Sequence, residues 1–271
     1  MQPKNYRIGP FVIRSEVELP YRESSTHECH ARIVISSEYP APPLERQISD
    51  GAVSSPNLWW FFVAGRVSSV VSSSGDITLV VENGLAPSYM QMMCGIRVFL
   101  VRQGVMLLHG SAVAQNGSAT VWLGASGDGK STAAAIETVT RGAIHLSDDI
   151  VPLLVDERGE IVTFQCDRYA HLAISQPPGL ESLAKALPAS VQVRDDGKGM
   201  YLLSPPDTNL YPVRRVVRPR SGPQGAGILT AGADDLKVLI RSVIHLEELQ
   251  KTKKVELLSF LGTLLTQGAE G

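Results

Sequence analysis

The chain has 271 residues, a formal net charge of −2 and 44% hydrophobic residues. This length suits one large domain or two smaller ones, and the composition excludes a disordered, fibrous or membrane-embedded class. The near-neutral charge gives no reason to expect a nucleic acid or an anionic membrane as the main partner.

The amino-terminal residues, the apolar runs and the cysteines indicate a cytoplasmic protein. Residues 1–10 are polar and contain proline, unlike the basic start and apolar stretch of a signal peptide. The longest apolar runs are far shorter than the roughly 20 residues that span a bilayer. Three scattered cysteines suggest no disulfide framework, which agrees with a reducing compartment.

The amino-terminal part is rich in short runs of β-branched or alternating residues, which favour strands. Ser74-Gly75-Asp76 predicts a hairpin turn between two of these runs. A helix is predicted over residues 86–103, where apolar residues recur at helical spacing. We expect a β-rich region at 1–85 and a second domain at 86–271. The predicted strands cover residues 6–14, 31–36, 58–63, 67–71 and 77–81.

From residue 105 onward, predicted strands and helices alternate, which is typical of an α/β fold. Two apolar runs flank a hairpin turn at residues 156–159, and segment 214–227, rich in Pro, Gly and Arg, predicts a mobile loop. The predicted strands cover residues 105–109, 119–123, 143–146, 151–155 and 161–164, and the predicted helices cover 130–141, 234–244 and 246–265.

Residues 124–131 form a glycine-rich loop that matches G-x-x-x-x-G-K-[ST] in full, between a predicted strand and a predicted helix. Glycines let backbone N–H groups point at a phosphate, and the helix adds its positive end. Lys130 is expected on the β- and γ-phosphates and Ser131 on Mg²⁺. The motif indicates a nucleoside triphosphate, ATP or GTP, without separating a kinase from an ATPase or a switch. The expected binding residues are Gly124, Ala125, Ser126, Gly127, Asp128, Gly129, Lys130, Ser131 and Thr132.

Two adjacent carboxylates, Asp148 and Asp149, follow the predicted strand 143–146. One of them can hold Mg²⁺ or its waters while the other accepts a proton from an attacking hydroxyl. The alternative is that they only end a strand, because Asp is common in turns. Successive side chains of an extended backbone point to opposite sides, which favours different roles for the two residues.

The histidines give weaker indications. His109, at the end of strand 105–109, either orients a carboxylate, contacts a phosphate or has a structural role. His145 is expected to pack inside the sheet region. His171 and His245 have no companions in the sequence that suggest chemistry.

Two basic features near the carboxyl-terminal third each allow two interpretations. Lys198, on a Gly-flanked loop after Asp195 and Asp196, either closes over the γ-phosphate or belongs to an exposed turn. The arginines of the predicted mobile loop either bind phosphates or an acidic peptide, or form a solvated basic loop. These arginines are Arg214, Arg215, Arg218 and Arg220.

Four elements in sequence order resemble the catalytic core of bacterial HPr kinase/phosphorylase: His109-Gly110, the glycine-rich loop, Arg141-Gly142 and Asp148-Asp149. That family shows His-Gly before a short hairpin, a loop ending in Gly-Lys-Ser, Arg-Gly closing the helix and Asp-Asp on the next strand. The resemblance covers about residues 109–153. It implies an α/β P-loop kinase core of the HPr kinase/phosphoenolpyruvate carboxykinase type, with a small β-rich amino-terminal domain.

The resemblance also implies roles for individual residues. Lys130 would contact the phosphates, Ser131 and Asp148 would lie at Mg²⁺, and Asp149 would be the base toward the acceptor hydroxyl, with His109 nearby. The chain is also similar to short HPr kinase-like proteins, some of which phosphorylate a serine near the carboxyl terminus of a lasso-peptide precursor. Because counterparts to the HPr-docking elements are missing, HPr is not the expected acceptor.

The function implied is therefore an ATP-dependent, Mg²⁺-requiring kinase for a serine of a peptide or protein. Relatives of this type are often homo-oligomers, so a homo-oligomer is a further expectation. A nucleotide-binding regulatory or assembly module without phosphoryl transfer is one alternative. A kinase for a small metabolite is another, because it would share the same core and differ only in the acceptor pocket.

Overall fold

The structure is a computed structural model with a mixed α/β architecture, in which strands in several sheets outnumber a few helices. The chain divides into two compact units, Met1–Val105 and Met106–Gly271. The residues that the structure describes are 2–42, 51–55, 57–63, 65–81, 86–174, 181–193, 197–219, 227–228, 233–244 and 259–265.

In its described residues, the first unit consists of a single sheet and one helix packed against it. The sheet order is β3-β1-β2-β4-β8-β7-β6-β5, in which β4 pairs in parallel with β2 and with β8 and the other pairs are antiparallel. The elements are β1 (Lys4–Ile8), β2 (Phe11–Ser15), β3 (Arg22–Glu23), β4 (Ala31–Ser36), β5 (Gly51–Ser54), β6 (Leu58–Val63), β7 (Arg66–Ser72), β8 (Ile77–Val80) and α1 (Tyr89–Arg102).

The strands predicted at 31–36, 58–63, 67–71 and 77–81 are confirmed as β4, β6, β7 and β8, and Ser74-Gly75-Asp76 lies in the expected turn between β7 and β8. The single strand expected over residues 6–14 is wrong, because a turn at Gly9, with a φ of 54°, splits it into β1 and β2. The helix predicted over 86–103 is confirmed as α1, which Ser88 and Gln91 start with reciprocal side-chain to backbone hydrogen bonds.

Gly95 lies where α1 meets the sheet, and this close approach leads to a stability prediction. A Cβ atom at Gly95 would lie 2.5 Å from Ile77 Cγ2, which is closer than Cβ atoms approach other heavy atoms in proteins. We expect Gly95→Ala to lower the free energy of unfolding of this unit by about 1–3 kcal/mol, because the helix must move off the strand. Urea unfolding measures the change, and unaltered stability would contradict this packing.

The second unit contains a larger sheet, a smaller sheet and the remaining helices. The larger sheet has the order β12-β10-β11-β18-β14-β13-β9, with β19 added to β18, and the smaller one has the order β15-β17-β16. The elements are β9 (Met106–Leu108), β10 (Gly110–Gln115), β11 (Ser118–Leu123), α2 (Lys130–Arg141), β12 (Ile144–Ser147), β13 (Val151–Val155), β14 (Ile161–Phe164), β15 (Tyr169–Ala173), α3 (Glu181–Ala186), β16 (Gln192–Val193), β17 (Lys198–Leu202), β18 (Leu210–Arg218), β19 (Gly227–Ile228) and α4 (Ala233–Ser242).

The larger sheet is covered on two faces. On one face, Val113, Trp122 and Val217 pack against Ala134 of α2. The opposite face holds the larger cluster, which includes Val121, α4 and the carboxyl-terminal helical residues 259–265. The smaller sheet packs against α2 and α3 through a third cluster. Helix α2 therefore lies between the two sheets, which fixes the position of its amino-terminal end.

Most element predictions for this unit are confirmed. Helix α2 has the predicted bounds, and β13 and β14 form the predicted hairpin. The predicted mobile loop at 214–227 is wrong for residues 214–218, which belong to β18, a strand paired with both β11 and β14. Residues 220–226, and 246–258 of the last predicted helix, lie outside the described residues. No helix in the described part of the chain has the length and apolar character needed to cross a bilayer.

Candidate functional site

Sheet topology brings two segments with candidate site residues to one edge of the larger sheet. Strand β10 pairs antiparallel with β11 on one side and with β12 on the other, so β11 and β12 run in the same direction. Their carboxyl ends consequently meet at the same edge. The glycine-rich loop (residues 124–131) follows β11, and Asp148 and Asp149 follow β12.

The glycine-rich loop has the backbone conformation that its glycines permit. Gly127 and Gly129 each have a φ of 87°, in the left-handed region that other residues rarely adopt. Gly129 is the N-cap residue directly before α2, and no side chain caps the helix there, so the first N–H groups of the helix have no side-chain acceptor. Ala125 and Ser126 are exposed, and Thr132 is half-buried in the first turn of α2. An anion can therefore reach this helix terminus.

Lys130 is folded back over the loop that precedes it. Its Nζ atom donates hydrogen bonds to the carbonyl oxygens of Gly124 and Ala125, at 3.1 and 2.9 Å. Burial lowers the pKa of Lys130 below its ordinary value, and the charge of Lys198 acts in the same direction against the attraction of nearby carboxylates. The ammonium group is thus held at the loop by main-chain carbonyls.

Asp148 is a buried hydrogen-bond acceptor at the centre of the site, with a relative exposure of 1%. Its Oδ1 atom accepts hydrogen bonds from the hydroxyl groups of Ser111, at 2.5 Å, and Ser131, at 2.8 Å, and from the Asp149 N–H. Its Oδ2 atom accepts the backbone N–H of His171 at 2.7 Å. Asp148 therefore ties β10, α2, β12 and β15 together directly beside the glycine-rich loop.

Asp149 occupies a different environment from its neighbour. Its φ is 63°, and the hydroxyl of Ser147 donates to the carbonyl of Ile150 across the same turn. The extended backbone expected here from the sequence is therefore wrong, and a left-handed turn separates the two side chains. The Asp149 side chain is 26% exposed. His109, half-buried, contacts the Asp149 main-chain carbonyl with Nδ1 at 3.1 Å.

The expectation that His171 lacks companions is wrong. Its Nδ1 atom lies 3.0 Å from Asp149 Oδ2, and its Nε2 atom lies 3.7 Å from Asp167 Oδ2. Burial lowers the pKa of His171, but the hydrogen bond to Asp149 and the charges of Asp167 and Asp148 outweigh it, so the pKa is above its ordinary value. His145 is fully buried, as expected, and burial lowers its pKa.

No local sequence signal indicates this cluster. Asp167 and His171 are four residues apart, and in an extended strand this spacing separates two side chains of the same face by about 13 Å, so it does not predict their contact. The contact of His171 with Asp149 depends on β15 lying beside the end of β12.

The basic residues singled out in the sequence take defined places. Lys198 is the first residue of β17, opposite Ala173, so the expected flexible loop is wrong at this position; Asp195 and Asp196 lie outside the described residues. Arg218, at the end of β18, has Nε 4.0 Å from Asp128 Oδ2. Arg214 pairs with Glu160 and Arg215 lies on β18, whereas Arg220 is outside the described residues.

Asp128 places a negative charge inside the loop that is expected to bind phosphate, which leads to a prediction. Its Oδ2 atom accepts the Ala125 N–H at 2.8 Å. We expect Asp128→Asn to tighten binding of Mg²⁺–ATP about two- to fivefold, because the amide keeps an acceptor oxygen but removes the repulsion of a partly exposed charge. Isothermal titration calorimetry measures the affinity. Weaker binding by the variant would contradict a repulsive role for this carboxylate.

Neither a search for metal-binding clusters nor comparison with known proteins assigns a further role to these residues. In the part of the chain that the structure describes, no group of three or more His, Cys, Asp or Glu side chains is arranged to hold a metal ion. No protein-family model matches the sequence, and no curated protein matches it either. The function is therefore inferred from the glycine-rich loop and the side chains around it.

Proposed function

We propose that the protein is an ATP-dependent, Mg²⁺-requiring kinase that phosphorylates a serine hydroxyl of a peptide or protein. The observation that carries this proposal is a pair of unlike carboxylates beside the glycine-rich loop. Asp148 is buried and lies 2.8 Å from the Ser131 hydroxyl, while the side chain of Asp149 is 26% exposed. One enclosed and one accessible carboxylate suit the two roles that phosphoryl transfer requires.

The loop and the start of α2 supply donors for a triphosphate. Positive φ angles at Gly127 and Gly129 turn the backbone, and the uncapped first turn of α2 contributes its N–H groups and the positive end of its dipole. Lys130 already lies at this loop, where two carbonyl oxygens hold its ammonium group. Exchange of these carbonyls for phosphate oxygens would give Lys130 a charged partner.

Mg²⁺ fits the oxygen atoms that are present. The Ser131 hydroxyl and the Asp148 carboxylate are hard oxygen ligands 2.8 Å apart. In nucleotide sites Mg²⁺ keeps several waters and takes only one or two protein oxygens in addition to phosphates. Ser131 and Asp148 would hold the ion, which when bound would neutralise part of the phosphate charge.

Asp149 would then act on the acceptor. As the acceptor oxygen forms a bond to the γ-phosphorus, the bond between that phosphorus and the bridging oxygen breaks, and ADP leaves with the bonding electrons. The acceptor proton passes to the Asp149 carboxylate, which later releases it to water. Accessibility favours Asp149 over Asp148 as the base, because Asp148 is enclosed by four donors.

The resemblance to HPr kinase-like proteins supports a serine acceptor in a peptide or protein, and a lasso-peptide precursor is one candidate. A homo-oligomer in the cytoplasm, with no nucleic acid or membrane as partner, completes the proposal. ATP is the proposed nucleotide, and GTP is compared with it in the same assay, because phosphate contacts do not distinguish the bases.

Mass spectrometry of serine-containing peptides after incubation with protein, ATP and Mg²⁺ tests this function. We expect a phosphate adduct on one serine that disappears when that serine is replaced by alanine or when Mg²⁺ is chelated. Adducts on small metabolites alone would replace the peptide acceptor with a metabolite. Bound nucleotide without any phosphorylated product would favour a regulatory or assembly module and contradict the kinase proposal.

A further inference from the structure

Three titratable side chains form a row that runs from the accessible edge of the site into the protein. Asp149 is the outer member, with a side chain 26% exposed, and His171 and Asp167 are buried, with side chains 2% exposed. The imidazole lies between the two carboxylates, 3.0 Å from Asp149 on its Nδ1 side and 3.7 Å from Asp167 on its Nε2 side. Asp148 and His145 are the other titratable groups close to it.

The backbone holds the inner members of this row in place. His171 lies in the middle of β15 and pairs with Met200 of β17. Its own N–H donates to Asp148 Oδ2, so one residue contacts both aspartates of the site. The Tyr169 N–H donates to Asp167 Oδ1 at 2.9 Å, which fixes the inner carboxylate. The imidazole therefore has little freedom to leave Asp149.

This geometry has a chemical consequence for Asp149. An N–H donor directed at one oxygen of a carboxylate fixes the plane of the group, and a base must be held in the orientation from which it takes up a proton. A donor at Nδ1 requires the proton to reside on that nitrogen. The Asp167 carboxylate, 3.7 Å from Nε2, is too far for a hydrogen bond and places a negative charge on that side of the ring.

We propose that His171, supported by Asp167, is a positioning residue that donates its Nδ1–H to Asp149 and holds this carboxylate in the orientation from which it accepts the proton of the acceptor hydroxyl. The inference rests on the proposed kinase function. It assigns His171 no contact with substrate. Its side chain acts through Asp149, and its backbone acts separately through Asp148.

Substitutions at His171 separate a positioning role from a packing role. His171→Leu removes the donor, and we expect kcat to fall about 10²-fold because the base is no longer held in place. The nucleotide KM should stay near the wild-type value, since the backbone N–H to Asp148 remains. His171→Asn offers an amide nitrogen at the place of Nδ1 and should recover most of kcat. His27→Leu, at an exposed histidine, is the matched control.

Two outcomes of this kinetic experiment would overturn the inference. One is a His171→Leu variant that transfers phosphate as fast as the wild type. The other is a His171→Asn variant that is as slow as His171→Leu. If His171→Leu does not fold, Asp167→Asn provides the test, because it leaves Asp149 and His171 intact and should lower kcat with little change in KM; an unchanged kcat would then overturn the inference.

A measurement without nucleotide keeps this inference separate from the kinase function. We expect proton NMR of the wild-type protein to show a slowly exchanging imidazole N–H resonance from His171 that is lost in Asp149→Ala and kept in Ser131→Ala. Persistence of the resonance in Asp149→Ala would overturn the inference whether or not the protein is a kinase. If this resonance is present but the wild type phosphorylates no acceptor, the kinase proposal fails. The His171–Asp149 hydrogen bond would then exist without the proposed role in catalysis.

Discussion

Replacing Asp149 with Asn is expected to abolish phosphoryl transfer while nucleotide binding is retained. The amide cannot take up the acceptor proton, so kcat should fall by about 10²- to 10⁴-fold. Binding should persist because Lys130 donates its hydrogen bonds to the loop carbonyls and Ser131 donates to Asp148. Radiolabel transfer from ATP to the acceptor peptide, together with calorimetric titration of Mg²⁺–ATP, measures both properties.

Glu157→Gln is the matched control for this change. Glu157 is an exposed residue of the hairpin turn between β13 and β14, so the same carboxylate-to-amide replacement is made away from the site. Transfer by this control should equal that of the wild type. Full transfer activity in Asp149→Asn would remove Asp149 as the base, and lost nucleotide binding in the same variant would show that it also helps to hold the nucleotide.

The second large effect is expected at Lys130. Lys130→Met keeps much of the buried stem but removes the ammonium group, which donates to two carbonyls of the loop. Loss of a charged hydrogen bond of about 1.5–3 kcal/mol corresponds to a dissociation constant for Mg²⁺–ATP about 10- to 100-fold higher. Transfer should fall further, since negative charge builds on the bridging oxygen of the leaving ADP during the reaction.

Calorimetric titration of Lys130→Met and of the matched control Lys185→Met checks this expectation. Lys185 is an exposed lysine of α3, and its replacement should leave the affinity unchanged. Unfolding midpoints of both variants show whether the fold survives. An affinity of Lys130→Met equal to that of the wild type would mean that the triphosphate does not bind at the glycine-rich loop.

The parts of the site with local sequence signals were predictable. Helix α2 begins and ends at the predicted residues, Lys130 and Arg141, because glycines bound it on both sides and its apolar positions recur at helical spacing. The meeting of Asp148 with the loop was also foreseeable, since both segments follow strands of the same sheet. The HPr kinase-type core remains a prediction based on resemblance.

The parts that were missed depend on contacts distant in sequence. The His171–Asp149 contact spans 22 residues and exists only because β15 runs past the end of β12. Segment 214–218 carries arginines and follows a proline, which favours a loop, yet its pairing with β11 and β14 on both sides makes it a strand. Tertiary pairing overrides local composition in such cases.

The unpredicted strand β18 also positions a charged residue at the site. Because β18 runs parallel to β11, its carboxyl end lies next to the start of the glycine-rich loop, with Val217 opposite Trp122. Arg218 thereby reaches the neighbourhood of Asp128. The loop prediction gives no position for Arg218. Its place at the end of β18 puts a positive charge beside the proposed phosphate site.

The most direct test of the central claim is a crystal structure with a non-hydrolysable ATP analogue and Mg²⁺. We predict density for the β-phosphate against the backbone N–H groups of residues 127–131, with Lys130 turned from its carbonyl partners to the phosphates. We also predict a metal ion at Ser131 and Asp148, with Asp149 facing the γ-phosphate from the acceptor side. Nucleotide bound elsewhere, or an Asp149 carboxylate pointing away from the γ-phosphate, would contradict the proposed site.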